Sequence, residues 1–281
     1  MAKYVPDIRT QRWVVIAPGR VARPEDVKEP GNGQCPFCPG NEAMTPPEVY
    51  RIGPGEKDKS GWLVRVVPNK FPITDIHEVI IHSPDEEKDI EVLPIEQVTH
   101  VLTAYRDRYR AHEASGQVMI FCNHGEHAGA SLRHPHSQLV VVPRQINLDA
   151  LSREPITNLV EENTNFVTYC PDFCQWPLEV WITPKEDGTR FGDLPDNHVL
   201  DLAQILQTAL RKIEVTARDT FAIHPGKFVY NYYIYHGVNW FIRIIPRLVH
   251  RAGFELGSGL SVNIVDPTEA AKKLKEIQLG E

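Results

Sequence analysis

The stretch His134-Pro135-His136-Ser137-Gln138-Leu139-Val140-Val141-Val142-Pro143 decides the fold. Its later part is an apolar, β-branched run closed by proline, which reads as a buried strand over 137–143. Strand side chains alternate between faces, so residues 134, 136 and 138 project together from an extended backbone. Two imidazoles and an amide then line one side. A second run of the same kind, Trp240-Phe241-Ile242-Arg243-Ile244-Ile245-Pro246, places its closing proline 103 positions after the first.

Working outward from these two runs, the elements before them also match. Residues 62–68 and 165–171 read as first strands, and Pro68 and Pro171 are again 103 apart. Residues 77–84 and 178–184 read as second strands, with Glu78 and Glu179 offset by 101. Leu93-Pro94 and Leu194-Pro195, also 101 apart, each open a helix. Ile95, Val98, Val101, Leu102 and Tyr105 fall at helical spacing in one, and Val199, Leu202, Ile205, Leu206, Ala209 and Leu210 in the other. Residues 118–121 and 227–231 supply third strands. Five elements recurring in one order point to duplication. Each copy is a hairpin, a helix and a second hairpin, which predicts an α+β fold with an antiparallel sheet and helices packed on it. Two such copies can join edge to edge and cover each other's open strands. The expected division is an N-terminal segment over 1–60, a first unit over 61–150, and a second unit with a closing C-terminal helix over 151–281. Residues 1–60 have little regular pattern beyond a short strand at 13–16 and a tight knuckle, Cys35-Pro36-Phe37-Cys38-Pro39-Gly40.

Composition limits the function. The 281 residues carry 30 Lys and Arg against 37 Asp and Glu, a formal charge of −7, which argues against a nucleic-acid coat. With 42% hydrophobic and 24% charged residues the chain is ordinary globular material, not a disordered one. There is no apolar run long enough to span a membrane, and the first residues lack a signal-peptide core, so a cytoplasmic setting is expected. The 23 prolines exceed the 18 glycines, which predicts many short elements.

Chemistry concentrates at the first run. A neutral imidazole held in one tautomer is a good nucleophile at phosphorus near pH 7. The lead-in, Gly125-Glu126-His127-Ala128-Gly129-Ala130-Ser131, can bring backbone N–H groups and a hydroxyl close to a phosphate. The spacing Cys35-x-x-Cys38 suits two thiolates on one zinc, a redox pair, or two free thiols.

The His-Pro-His-x-Gln run, Asn123 with the Gly129-x-Ser131 lead-in, the CxxC knuckle and the duplicated halves together resemble the galactose-1-phosphate uridylyltransferases, a branch of the histidine-triad superfamily. The resemblance covers nearly the whole chain. It implies a duplicated histidine-triad-like unit and a two-step nucleotidyl transfer between a nucleotide sugar and a hexose 1-phosphate. His136 would be the nucleophile, and Gln138 and Ser131 would stabilise the phosphoryl group. Asn123 and Gly129 would line the phosphates, Arg20 and Arg23 would contact them, and Phe37 and Asn69 would lie near the nucleoside. Phe254 and Glu255 match a hexose-contacting segment. One structural zinc would be held by Cys35, Cys38, His134 and Glu86. At the last of these positions the family often has histidine in Ser-Pro-x-His, where this chain reads Ser83-Pro84-Asp85-Glu86.

Departures from the family pattern matter too. A second metal in relatives needs histidines on the last strand, where Arg243 and Ile245 stand here, so no second site is expected. Under the offset of 103, His136 falls on Asn239 and Gln138 on Phe241, so the second copy lacks a nucleophile. Asn69-Lys70 replaces a common Asn-Asp, which leaves the base open. Relatives are dimers, so a homodimer is expected. Rival readings are an ADP-sugar phosphorylase or adenylyltransferase, a nucleotide hydrolase, and a zinc-stabilised nucleotide-binding protein without turnover.

Overall fold

A computed structural model of the chain describes residues 2–7, 12–22, 34–224 and 227–280. A small N-terminal hairpin pairs β1 (Lys3–Asp7) with β2 (Arg12–Ile16). The main body is strands β3 (Tyr50–Ile52), β4 (Val64–Pro68), β5 (His77–Ile81), β6 (Gln117–His124) and β7 (His136–Val142), with helix α1 (Ile95–His112) between β5 and β6. The chain then repeats the arrangement. Strands β8 (Leu159–Glu162), β9 (Phe166–Tyr169) and β10 (Val180–Pro184) precede helix α2 (Asp196–Phe221), and β11 (Tyr230–Ile234) and β12 (Ile242–Pro246) follow it. Helices α3 (Gly253–Ser258) and α4 (Pro267–Glu276) complete the described chain. Neither long helix is apolar enough to cross a membrane.

Among the described residues, ten strands form one antiparallel sheet in the order β3-β4-β5-β7-β6-β11-β12-β10-β9-β8. The order reads as β4-β5-β7-β6 and then, reversed, as β11-β12-β10-β9. The halves meet where Asn123 faces Asn231 across β6 and β11. Each half thereby covers an edge of the other, which removes two open ladders from solvent. The fold is a duplicated histidine-triad-like α+β unit.

Both long helices lie on one face of this sheet and pack against each other. Each starts directly after a proline, Pro94 or Pro195. A proline there sacrifices no helical hydrogen bond and stops the preceding chain from helical drift. The largest core lies beneath the helices and runs through both halves, including Ile80, Ile120, Leu139, Leu206, Tyr232 and Ile244. The opposite face carries two smaller clusters. Phe37, Trp62, Val67, Val79 and Ile81 form one in the first half, and Tyr169, Trp181 and Phe241 form the other in the second.

Three strands lay outside the pattern read from sequence: β1, β3 and β8 sit at sheet margins, where alternation is weak. The expected strand at 227–231 is displaced to Tyr230–Ile234, because pairing with β6 sets its register. The runs beginning at Trp62 and Trp240 enter the ladder two residues later, at Val64 and Ile242.

Leu206 has no exposed surface and sits in the α2 layer over the sheet. Leu206→Ala is expected to lower the unfolding free energy by about 2–5 kcal/mol through cavity formation. Urea denaturation measures this, and a loss under about 1 kcal/mol would contradict tight helix packing there.

Candidate active site

Strand β7 is buried along its full length and divides its side chains cleanly. His136 and Gln138 project from the face opposite the helices, where Phe37 packs edge-on to the His134 and His136 rings at 6.0 and 5.3 Å. Phe37 reaches this position because the knuckle folds onto the sheet. The Cys38 N–H donates to the Cys35 carbonyl (3.2 Å), Asn41 Nδ2 donates to the same carbonyl (2.8 Å), and the Trp62 indole and Gly40 N–H both donate to Glu42.

His136 Nδ1 lies 2.8 Å from the carbonyl oxygen of His134. Only a protonated Nδ1 can hydrogen-bond there, so Nε2 carries the free lone pair. Burial pushes the imidazole down to about 4, against the opposing effect of its bond to His134. The ring is therefore neutral near pH 7, in one tautomer, with a nucleophilic nitrogen.

The loop before β7 turns on two glycines with positive φ, Gly125 at 84° and Gly129 at 88°. A side chain at Gly125 would strike Val229 Cγ1 at 2.3 Å. Asn231 clamps this loop to the sheet: its amide nitrogen donates to Asn123 Oδ1 (2.8 Å) and to the Ala128 carbonyl (2.9 Å). Asn123 is thus committed through its oxygen, which leaves its N–H groups for the loop side. Ser131 is half-buried in the same loop. Asn231 was not singled out from sequence, although a polar amide within an aromatic strand is a usable signal.

Four donors from three separate segments converge beside His134. Ligand atoms of Cys35, Cys38, Glu86 and His134 lie within 4.8 Å of one another. The sulfurs stand 3.4 and 3.6 Å from His134 Nδ1, and Cys38 Sγ is 3.0 Å from Glu86 Oε2. A tetrahedral ion with ordinary Zn–S and Zn–N bonds sets S···N at about 3.5 Å. His134 Nε2 donates to the Ser83 carbonyl (2.8 Å), which turns Nδ1 toward the sulfurs as a lone-pair donor. Burial, with Glu86 and Cys35 adding to it, pushes the Cys38 thiol far above its usual range. Bringing such groups together is unfavourable without a cation, so the donor set fits a bound metal.

On the helix side, Ser137 enters a buried polar network. Its hydroxyl is 2.7 Å from His82 Nε2 and also meets Tyr105, whose hydroxyl is 2.7 Å from that of Tyr232. His82 Nδ1 pairs with Asp89 at 2.6 Å. Asp89 also holds His124 (3.0 Å), and the far nitrogen of His124 faces Glu91 at 3.7 Å. Asp89, Glu91 and His124 could also gather around an ion. Both His124 nitrogens already face carboxylates, so the arrangement reads as an ion-pair clamp.

The remaining residues singled out from sequence are spread more widely. Arg20 donates to the Phe71 carbonyl at 2.8 Å, on the segment after Asn69. Arg23 lies outside the described residues. Phe254 is largely exposed, and Glu255 accepts from the Ala252 N–H at the start of its own short helix. In the second half, Phe241, the counterpart of Gln138, is stacked between Trp181 (4.0 Å) and Tyr235 (4.9 Å). Asn239, the counterpart of His136, ties a loop by accepting from the Gly188 N–H.

Residues 74–142 match the family model of the galactose-1-phosphate uridyl transferase N-terminal domain. An ADP-glucose phosphorylase of Arabidopsis thaliana is 28% identical, over 98% of this chain and 93% of that protein. A galactose-1-phosphate uridylyltransferase of Thermotoga maritima is 23% identical, over 96% of each. The crystal structure of an Arabidopsis thaliana ADP-glucose phosphorylase with bound ADP-glucose superposes with a TM-score of 0.74 at 25% identity, covering 99% of this chain and 100% of that one. Along nearly its whole length the chain is similar to proteins of the galactose-1-phosphate uridylyltransferase group, and residues 74–142 carry the match to that family's model.

The Asp89 clamp predicts a pH signature. Burial alone would raise the Asp89 carboxyl, but His82 and His124 override it and hold it well below its usual range. Burial lowers His124, yet its bond to Asp89 and the neighbouring charges raise it overall. A lowered carboxyl stabilises the fold above its unfolded value and loses that effect as pH falls. A raised histidine stabilises below its unfolded value and loses that effect as pH rises. The stability gap between wild type and Asp89→Asn is therefore expected to be widest between about pH 4 and 6.5. Urea titrations across pH measure it, and a flat gap would contradict the pairing.

Proposed function

We propose that the protein transfers a nucleotidyl group through a covalent bond to His136. In the first step His136 Nε2 attacks the α-phosphorus of a nucleotide sugar. An N–P bond forms, the bridging P–O bond breaks, and hexose 1-phosphate leaves with the electron pair. In the second step an acceptor phosphate oxygen attacks the same phosphorus and the imidazole leaves. The observation that carries this reading is the tautomer of His136: a buried, neutral ring with Nδ1 committed to a carbonyl and Nε2 open. One nucleophile can serve both directions because each step is an in-line displacement at one phosphorus.

The other residues take supporting roles in the same proposal. Gln138, Ser131 and the Gly129 and Asn123 backbone region bind the phosphoryl oxygens. Arg20 and Arg23 add positive charge toward the phosphates, Phe37 and Asn69 border the nucleoside, and Phe254 and Glu255 border the sugar. Zinc, held by Cys35, Cys38, His134 and Glu86, ties the segment 1–60 to the catalytic unit 61–150 and fixes the His134 end of the loop. The unit 151–281 has lost the nucleophile and supports the site. A homodimer belongs to the same reading, supported by exposed Val14, Ile16, Leu256 and Leu260. A cytoplasmic setting also belongs to it, supported by five cysteines that form no disulfide.

We take the exchanged group to be UMP, moved between UDP-hexose and hexose 1-phosphate. A second reading, AMP moved from an ADP-sugar to phosphate, is favoured by the similarity to an ADP-glucose phosphorylase along nearly the entire chain. Both readings pass through the same type of covalent intermediate, a nucleotidyl group on His136, and differ in its base and in the acceptor.

Intact-mass spectrometry after mixing with UDP-glucose, UDP-galactose or ADP-glucose tests this directly. The protein is expected to gain the mass of UMP or AMP, to keep it until a phosphate acceptor is added, and to gain nothing as His136→Ala. No adduct with any donor, or an adduct retained in His136→Ala, would sink the proposal. For the metal, Cys35→Ser is expected to lose bound zinc by elemental analysis and Glu86→Ala to lower its affinity about 10- to 100-fold. Undiminished zinc in Glu86→Ala would remove that residue from the ligand set.

A further inference from the structure

His77 lies on β5, on the same face as Val79 and Ile81, and is almost fully buried. Its ring bridges two groups. The backbone N–H of Ile73 donates to Nδ1 at 2.9 Å. An Nδ1 that accepts a hydrogen bond carries no proton, so in the neutral ring the proton sits on Nε2. That nitrogen is 2.9 Å from Gln138 Oε1. The Gln138 oxygen therefore accepts from His77, and the Gln138 NH₂ group is turned away from it, to the open side of β7. Asn69 Nδ2 stands 3.1 Å from the same His77 nitrogen, while Asn69 Oδ1 accepts from the Phe71 N–H at 2.8 Å.

An amide side chain has one accepting end and one donating end, and the two are nearly isosteric. Against the oxygens of a phosphoryl group, the NH₂ end makes charge-assisted hydrogen bonds and the oxygen end is repelled. Something must choose between them, and a buried N–H aimed at Oε1 does so before any substrate arrives. Such preorganisation matters most for groups that bind charge developing in the transition state.

We propose that His77 is a positioning residue for nucleotidyl transfer: its Nε2–H holds the Gln138 amide with the donor end facing the transferred phosphoryl group. This rests on the covalent reading above. Its path is specific, from the Ile73 backbone through one tautomer of His77 to one orientation of Gln138, and His77 itself touches no reacting atom.

The test is a double-mutant cycle on the rate of adduct formation in a single turnover. His77→Leu removes the Nε2–H and is expected to slow adduct formation about 10- to 100-fold, the usual effect of losing a partner that orients a functional group. Donor affinity is expected to change by less than about threefold, because binding of the ground state is largely spared. His77→Gln, whose amide N–H falls near the position of Nε2, is expected to recover most of the rate. In a Gln138→Ala background His77→Leu is expected to have almost no further effect. Equal slowing in both backgrounds would overturn the proposal, because a merely structural histidine acts whether or not Gln138 is present. Long-range ¹H–¹⁵N NMR of the wild-type imidazole supplies a readout free of turnover, with Nε2 protonated and Nδ1 bare. A protonated Nδ1 in a protein that still forms the adduct overturns the role of His77 alone. Failure of the wild type to form any adduct removes the covalent reading and this proposal together.

Discussion

Strand β7 is constrained on both sides, and the rest of the site follows from that constraint. Its odd-numbered residues face the helices. Ser137 enters the hydroxyl and imidazole network of Tyr105, Tyr232 and His82, while Leu139 and Val141 fill the core. Its even-numbered residues, His136 and Gln138, face the open side. A slip of one residue would drive two functional side chains into the apolar core and leave buried hydroxyls without partners. Register is therefore held by the core, and the active side inherits it. Pairing of Val79 with Gln138 on β5, and of Phe121 with Gln138 on β6, brings His77 and Asn123 to their positions.

The duplicated sheet explains how the candidate site can lie in one half alone. Antiparallel pairing of β6 with β11 makes the two halves one structure, so the second half need only present a complementary edge and a shared core. Its open face is filled by stacked Trp181, Phe241 and Tyr235, and by Arg243 bound through two nitrogens to buried Glu179. A buried ion pair of this kind is satisfied by its own hydrogen bonds and leaves no free group for transfer chemistry. Across the seam, Asn231 holds the loop between β6 and β7 through Asn123 and Ala128. The second half therefore shapes the loop that leads to His136.

The N-terminal knuckle contributes by cross-linking. Cys35 and Cys38 meet His134 across sequence separations of 99 and 96 residues. A metal held there would join the knuckle, the segment after β5 and the end of the loop that leads into β7. Closing so long a loop has a high entropic cost, which a few strong ligand bonds can offset. The same fold brings Phe37 edge-on to His136, where its ring lines the site. His134 of the four-donor cluster and His136 are thus two residues apart on one backbone, and the His134 carbonyl accepts from His136 Nδ1.

Much of this was legible in the chain itself. The two-residue period of 134–138, the proline-punctuated strands and the offsets of 101 and 103 determined a duplicated antiparallel fold with a histidine on its open face. These features depend on neighbours close in sequence, where strand alternation and helix spacing act directly. The CxxC spacing likewise marked two of four donors. Glu86 stood out through a departure from the Ser-Pro-x-His pattern of relatives, and the fold brings it to the cluster. Other features were hidden because partners far apart in the chain define them. His77 read as one more strand residue until β5 and β7 set it against Gln138, and Asn231 gained its role when β11 met β6. The exact starts of β11 and β12 followed pairing rather than propensity. Sequence determined which residue types could do chemistry and which face they share. Tertiary structure decided tautomer, amide orientation and loop anchorage, because those depend on hydrogen-bond partners that the folded sheet alone brings within 3 Å.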